Sequence, residues 1–431
     1  MKLNYRRTFL VGLAFMAISA FWQMYDTVIP LMLRNIFGIK DTASGVIMAL
    51  DNVLALFMLP IFGMLSDKAG RRIPFIVCGT FVAVASCMLI PVAGASKSFV
   101  LFFAALAVLL LSMGTFRSPA VALMPDVTPK PLRSKGNAVI NLMGTVGGIY
   151  TLIMIKLLIK ENANAADVNY LPIFIAVASL MAICAIVLSA AVNERKLKAE
   201  TDAVNDALDA ENDELSDGAN ERSGGKLSKP MLRSLMLILV SVFLWYMGYN
   251  AVTTAYSKYA TSVWGMELGN ASLCLVIAQV GALAAFLPIG IISSKIGRKR
   301  MIITGVVTLA LCFGVMAFAK TFSAWMFVVF VLIGFAWAAI NVNSFPMVVE
   351  ISRSGDIGKY TGYYYTFSMA AQIITPVLSG ALLEHVGYHT LLPYASLMAG
   401  AAVVTMAFVR HGDSKPVPSK SRLESFDVDM D

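Results

Sequence analysis

The chain has 431 residues, of which 58% are hydrophobic and only 14% are charged, and its mean hydropathy is +0.74. Soluble domains carry about 25% charged residues, so the composition excludes an ordinary soluble protein and indicates an integral membrane protein. The net charge of +8 does not point to nucleic acid, because the basic residues lie in short clusters between apolar segments.

Twelve apolar segments follow one another along the chain, and each is long enough to cross the hydrocarbon core as a helix of about 20 residues. They predict an all-α integral membrane protein. The first segment is longer than the core of a signal peptide and lacks a small-residue cleavage site, so we expect it to remain as the first span. The predicted spans are 8–33, 43–66, 74–94, 99–124, 135–159, 170–192, 232–256, 268–294, 300–319, 322–350, 357–384 and 388–410.

The basic residues of the short loops predict which way the chain lies in the membrane. Alternate loops carry fifteen basic residues, and the opposite loops carry five. Because basic loops stay in the cytoplasm, we expect a multi-pass protein of the cell membrane with both termini cytoplasmic. We call the helix ends on the side with the fifteen basic residues the inner ends, and the others the outer ends.

A polar segment divides the spans into two groups of six. Residues 193–229 include ten acidic and six basic residues and almost no large apolar ones, a composition typical of a disordered tether. We therefore expect a six-helix bundle at 1–192, a disordered cytoplasmic linker at 193–229, a second six-helix bundle at 230–410 and a cytoplasmic tail at 411–431.

One short motif occurs twice. The sequence GMLSDKAGRR at 63–72 recurs as GIISSKIGRK at 290–299, each time between the second and third span of its half. Duplication at this interval indicates two bundles related by a parallel repeat.

The first copy resembles the signature GxxxD(R/K)xG(R/K)(R/K) of the major facilitator superfamily. With the twelve spans and the degenerate second copy, in which Ser294 replaces the acid, the resemblance covers the whole membrane region. It implies two pseudo-symmetric six-helix bundles and a transport cavity lined by spans one, four, seven and ten. The signature positions are Gly63, Asp67, Lys68, Gly70, Arg71 and Arg72.

Within that superfamily, PIFGMLSDKAGRRIPFI at 60–76 and SPAVALMPD at 118–126 resemble the sucrose carriers and glycoside-cation symporters. Plant sucrose symporters carry an acid in the middle of span four, where this chain has Leu110. The resemblance therefore gives no reason to expect proton coupling at this position of span four.

The resemblance also implies a charged network that holds the inner side closed. We expect Asp67 to accept hydrogen bonds from helix amides or from Arg71, with acids and arginines at the inner ends of spans four and ten as partners. The alternative is a plain topology anchor on lipid phosphate. The network comprises Gly63, Asp67, Gly70, Arg71, Arg72, Asp126, Arg133, Glu350 and Arg353.

Ionisable residues inside the spans are candidates for function because they are expensive there. Asp26 and Asp51 either share a proton or bind sodium together, or each pairs with a nearby cation. Arg117 either grips solute hydroxyls or a carboxylate, or extends to the inner interface. Lys156 and Lys258 lie near outer ends, and we expect both to extend toward the interface.

Aromatic and amide side chains collect along a few spans. Flat aromatic faces beside amide groups suit sugar rings, which present an apolar CH face and a belt of hydroxyls, although each single aromatic residue is as readily explained by packing. The candidate solute-binding residues are Trp22, Gln23, Arg117, Asn141, Trp245, Tyr246, Tyr249, Asn250, Asn341, Asn343, Tyr364 and Gln372.

The sequence contains no HExxH, GxSxG or Walker motif, so we expect neither an enzyme nor ATP-driven transport. The five cysteines lie in apolar segments without ligand spacing, so we expect no metal and no disulfide framework.

We expect a secondary active symporter of a sugar or similar polyhydroxylated solute, coupled to H⁺ or Na⁺. An exporter of amphipathic compounds and a non-transporting solute receptor are the alternatives. The expected partners are the solute, the ion and membrane lipid, with no cofactor and no nucleic acid, and the expected functional unit is a monomer.

Overall fold

The computed structural model describes residues 3–129, 132–160, 168–215, 229–351 and 357–411. In these ranges the chain forms thirteen α-helices and one 3₁₀ turn, Tyr388–Thr390, with no strand. The helices are α1 Tyr5–Asn35, α2 Asp41–Ala69, α3 Ile73–Ala95, α4 Phe99–Asp126, α5 Arg133–Leu158, α6 Leu171–Ala191, α7 Glu194–Leu215, α8 Lys229–Ser262, α9 Leu268–Ile296, α10 Arg298–Ala317, α11 Met326–Ile351, α12 Ile357–His385 and α13 Leu391–Ala407.

Twelve of these helices are long and apolar enough to cross a bilayer, and they coincide with the twelve predicted segments. The all-α membrane fold is therefore confirmed. Several helices exceed the length that the hydrocarbon core requires; α8 has 34 residues and α1 has 31. Such helices extend beyond the hydrocarbon or tilt within it.

The thirteenth helix, α7, differs from the expected disordered tether. Glu194, Thr201 and Asn205 are 7%, 2% and 8% exposed, and their spacing of seven and four residues places them on one helical face. The Arg7 guanidinium of α1 donates to the Leu197 carbonyl at 3.0 Å and lies 3.6 Å from the Glu200 carboxylate. The average composition of this segment conceals the buried face, on which Leu197 and Val204 are also half-buried.

The helices group into two compact units whose borders cut across the predicted halves. The first unit comprises Met1–Trp22, Leu54–Thr151 and Tyr170–Ser223, and the second comprises Gln23–Val53, Leu152–Asn169 and Gly224–Asp431. The core of the first unit includes the buried rings of Phe102, Phe116 and Phe174. In the second unit, Trp245 and Phe313 belong to one continuous apolar cluster.

Glycines allow close helix approach within each unit. In the first unit, a Cβ atom added to Gly147 of α5 would overlap the Met16 carbonyl of α1, and in the second unit one added to Gly45 of α2 would overlap the Pro376 carbonyl of α12. Helix backbones approach this closely only where a side chain is absent.

We expect Gly147→Ala to lower the thermal stability of the purified protein, because the methyl group forces α5 away from α1 at a cost of about 1–3 kcal/mol. Gly400→Ala is the matched control, since a Cβ there meets nothing within 4 Å. Thermal unfolding in detergent measures both variants. Equal midpoints for the two variants would contradict the close approach.

Candidate functional site

An aromatic wall lies in the second unit. The Tyr249 ring of α8 stacks on the Trp337 ring of α11, with centroids 3.6 Å apart and planes 3° from parallel. Tyr246, one helical turn earlier, meets the same indole edge-on at 5.4 Å. Tyr249 and Trp337 are partly exposed, so the pair offers a flat surface of the kind that packs against the apolar face of a ring.

Amide groups of the same unit form a short hydrogen-bonded chain. Gln279 of α9 donates from Nε2 to Oε1 of Gln23 at 2.5 Å, and Gln23 donates to the Thr27 hydroxyl at 3.2 Å. Among the described residues, no protein group meets the buried Oε1 of Gln279 or the buried Nδ2 of Asn250. One acceptor and one donor are therefore available for hydroxyl groups of a solute.

The two acids predicted for ion coupling also lie in this unit. The charge of Asp51 acts on Asp26, and the charge of Asp26 acts on Tyr249. Asn52 donates to Oδ1 of Asp51 at 2.8 Å. Two carboxylates within range of each other repel, and one proton or one metal cation relieves the repulsion.

Arg117 and Trp22 meet in the first unit. The Arg117 Cζ atom lies 5.6 Å from the centroid of the Trp22 ring, which is within the range of a cation–π interaction. Both side chains are partly exposed.

Five predicted solute contacts do not fit the structure, because their side chains are buried. The exposed fractions are 0% for Trp245, 1% for Asn343, 2% for Tyr364, 3% for Tyr246 and 6% for Asn141. Asn343 donates to the carbonyl of Ala339 in its own helix at 2.9 Å, and the Tyr364 and Ser344 hydroxyls are 3.0 Å apart. On these helices the polar and aromatic residues cover a wider face than the part that is exposed, so some of their side chains point into the core.

The other predicted contacts remain available. Asn341 of α11 and Gln372 of α12 are partly exposed. Gln279 is a candidate contact that the sequence pattern does not reveal, because a single amide in an apolar span carries no periodic signal.

A charged cluster forms at the inner ends in the first unit, and Arg72 is its centre. Its side chain is 7% exposed, and its Nε donates to Oδ2 of Asp126 at 2.9 Å. The same guanidinium also donates to the Asp67 carboxylate, the Ser66 hydroxyl and the Gly63 carbonyl. Burial disfavours its charge, but the hydrogen bonds and charges of Asp126 and Asp67 outweigh burial, so the pKa of Arg72 is raised.

The structure corrects one part of the predicted network. Arg71 is half-exposed and makes none of these hydrogen bonds among the described residues. Arg72 makes the hydrogen bond to Asp67 that we expected from Arg71. Gly70 has a φ of +63°, which favours glycine and turns the chain so that the second arginine points inward.

Glu194 of α7 is an unexpected member of the cluster. Its carboxylate accepts hydrogen bonds from the backbone amides of Arg72 and Ile73, the latter at 2.9 Å. An acid at the start of α3 satisfies free amides and complements the helix dipole. The side chains of Arg133 and Glu350, and the whole of Arg353, lie outside the described residues.

A second charged cluster, the outer lock, lies at the outer ends in the second unit. Lys258 is 4% exposed, and its Nζ lies 2.7 Å from Oδ1 of Asp41. The Tyr388 hydroxyl donates to Oδ2 of the same carboxylate, and the Arg34 guanidinium covers the Tyr388 ring at 4.8 Å. The expectation that Lys258 extends to the interface is wrong. Lys156, by contrast, is exposed enough to reach Asn270 at 2.5 Å.

The family of the chain follows from comparison with known proteins. The model of the Major Facilitator Superfamily matches residues 11–267 and 238–427. The chain belongs to this superfamily, and it is therefore a multi-pass membrane transporter rather than an enzyme. No curated protein matches the chain by sequence.

Solved transporters share the fold. The structure of a variant of the nucleoside transporter NupG has a TM-score of 0.64 at 14% identity and covers 94% of this chain and 99% of its own. The POT family transporter PepTSo has a TM-score of 0.68 at 10% identity, with 95% and 98% covered. A bacterial homologue of the human lysosomal transporter Spinster has a TM-score of 0.61 at 15% identity, with 95% of each chain covered.

We expect Arg72→Met to lower the unfolding free energy by about 2 kcal/mol, because Asp126 loses its partner in a partly desolvated place. The loss is smaller than for a fully buried pair, since the Asp67 side chain is 63% exposed. Arg71→Met is the control, and thermal unfolding in detergent compares the two. If Arg71→Met is the more damaging change, Arg72 is not the centre of the cluster.

Proposed function

We propose that the chain is a symporter that couples H⁺ or Na⁺ to the movement of a sugar-like, polyhydroxylated solute, as the resemblance to sucrose carriers and glycoside-cation symporters suggests. One arrangement carries the proposal. Asp26 lies within electrostatic range of its fellow acid Asp51 and of Tyr249, whose ring is stacked on Trp337. The acid proposed for ion coupling, Asp26, is thus electrostatically linked to the aromatic wall of Tyr249 and Trp337, which is the proposed solute platform.

The solute side of the proposal rests on the aromatic wall and the amides beside it. A sugar ring lays its CH face on Tyr249 and Trp337, and its hydroxyls pair with the free acceptor of Gln279 and the free donor of Asn250. A solute without hydroxyls leaves these buried groups unpaired, which costs binding energy. Selectivity for a polyhydroxylated solute follows.

The ion side rests on repulsion between two acids. When Asp26 and Asp51 are both charged, each destabilises the other, and a bound proton or Na⁺ removes that penalty. Because Tyr249 feels the charge of Asp26, neutralising that charge changes the field at the solute platform. Ion binding and solute binding then favour each other, as coupled transport requires.

Alternating access needs contacts that form on one side and break on the other. The inner cluster ties α2, α3, α4 and α7 within the first unit, and the outer lock ties α2 to α8 and to the 3₁₀ turn before α13 within the second. We propose that these two clusters open at different stages of the cycle, in a monomer of the cell membrane with both termini in the cytoplasm.

We expect Asp26→Asn to abolish accumulation of the solute against its gradient while preserving exchange, because an amide takes up no proton and carries no charge for Na⁺. Uptake of a panel of small sugars into proteoliposomes, under imposed proton and sodium gradients, measures both reactions. Glu267→Gln is the control, since this acid is exposed at the start of α9. Unchanged accumulation would remove the coupling role, and efflux of amphipathic dyes without sugar uptake would favour an exporter. Solute binding without any transport would indicate a receptor.

We expect Lys258→Met to open the outer lock, since Asp41 loses its cation. A cysteine introduced at Thr254, which lines the small cavity beneath the lock, should react several-fold faster with an impermeant thiol reagent from the outer side. The exposed native thiol Cys78 is replaced by serine in every sample. Tyr388→Phe is a milder opening variant, and Lys320→Met in an exposed loop is the control. Equal labelling rates in all four samples would argue against a lock.

A further inference from the structure

Arg117 stands apart from the other charges of the first unit. In the described helices of that unit, every other charged residue of a membrane span lies near a helix end, whereas Arg117 lies nine residues before the end of α4. Its side chain makes neither an ion pair nor a hydrogen bond with any described residue; its one described contact is the ring of Trp22. The guanidinium therefore has no acidic partner among the described residues.

The position of its head group argues against an interfacial role. Thr8 of α1 and Val127 after α4 line one cavity at the inner ends, so they lie at a similar depth. Trp22 is fourteen residues beyond Thr8, roughly 21 Å along α1, and Arg117 is ten residues before Val127, roughly 15 Å along α4. Because the guanidinium packs against Trp22, it lies well inside the span rather than at the inner end.

The direction of the side chain agrees with this depth. Side chains in a helix lean toward the helix N-terminus, and α4 begins at the outer ends, so Arg117 leans away from the inner interface. An arginine that extends to the interface points the other way. The long side chain thus carries its charge toward the middle of the membrane.

A positive charge at this depth needs nearby groups that offset the cost of removing it from water. The Trp22 face supplies part of it, since a cation–π contact is worth about 1–2 kcal/mol in a desolvated place, but the N–H donors at the edges of the guanidinium remain unused. The planar fork of an arginine pairs edge-on with a carboxylate through two parallel hydrogen bonds. The group is partly exposed, so a solute can reach it.

We infer that Arg117 binds a carboxylate group of the solute, so that the transported compound is an acidic sugar such as a uronate. This inference rests on the proposed function and specifies its substrate class. A single planar fork matches a singly charged carboxylate, whereas a doubly charged phosphate calls for further cations that the described spans of this unit do not supply. Trp22 holds the guanidinium flat and leaves the donor edge open.

The test compares sugars that differ only in the acid group. Purified full-length protein in lipid nanodiscs is titrated with D-glucuronate and D-glucose, and with D-galacturonate and D-galactose, while tryptophan fluorescence and heat are recorded. We expect each uronate to bind at least about tenfold more tightly than its neutral partner, a difference of about 1.4 kcal/mol. Arg117→Gln removes this preference, and Arg117→Lys, which keeps the charge but loses the fork, retains part of it.

Arg300→Gln, at an exposed arginine of α10, is the matched control and keeps the preference. Three results would overturn the inference: equal binding of acid and neutral sugars, tighter binding of D-glucose 6-phosphate than of D-glucuronate, or a uronate preference that survives in Arg117→Gln. Uptake is measured separately in proteoliposomes. Tight uronate binding without gradient-driven uptake would refute the proposed symport and leave the role of Arg117 in place.

Discussion

A charge in the hydrocarbon of a membrane must meet an opposite charge, reach water or bind a ligand, and the charged groups of this protein are arranged around that constraint. Lys258 meets Asp41, and Arg72 meets Asp126 and Asp67. These groups lie at opposite ends of the spans. Three further ionisable groups inside the spans are the ones to which we assign cargo.

These three groups are of two kinds. Asp26 and Asp51 place like charges within range of each other, which makes a cation the natural third partner. Arg117 places a cation against an aromatic face with its donor edge free, which makes an anion the natural partner.

The helix after the sixth span, α7, contacts the inner cluster. It belongs to the segment 193–229, whose composition predicts a disordered tether. The Glu194 carboxylate occupies the free amides at the start of α3, next to the buried guanidinium of Arg72. The Arg7 contacts with Leu197 and Glu200 hold the following turns of α7 against α1. The inner cluster therefore includes a segment outside the membrane, and any movement of α7 acts on the first turn of α3.

Local properties of the sequence determined the fold: length and hydropathy are enough to identify each span, and the repeated motif, which contains Asp67 and Gly70, identifies the family. The partners of long side chains were decided by tertiary structure alone. Sequence spacing shows which residues share a helical face, but the depth and direction of neighbouring helices determine whether that face is solvated or buried. For this reason Asn343 and Tyr364 turn into the core, Gln279 joins Gln23, and Lys258 pairs with an acid 217 residues away.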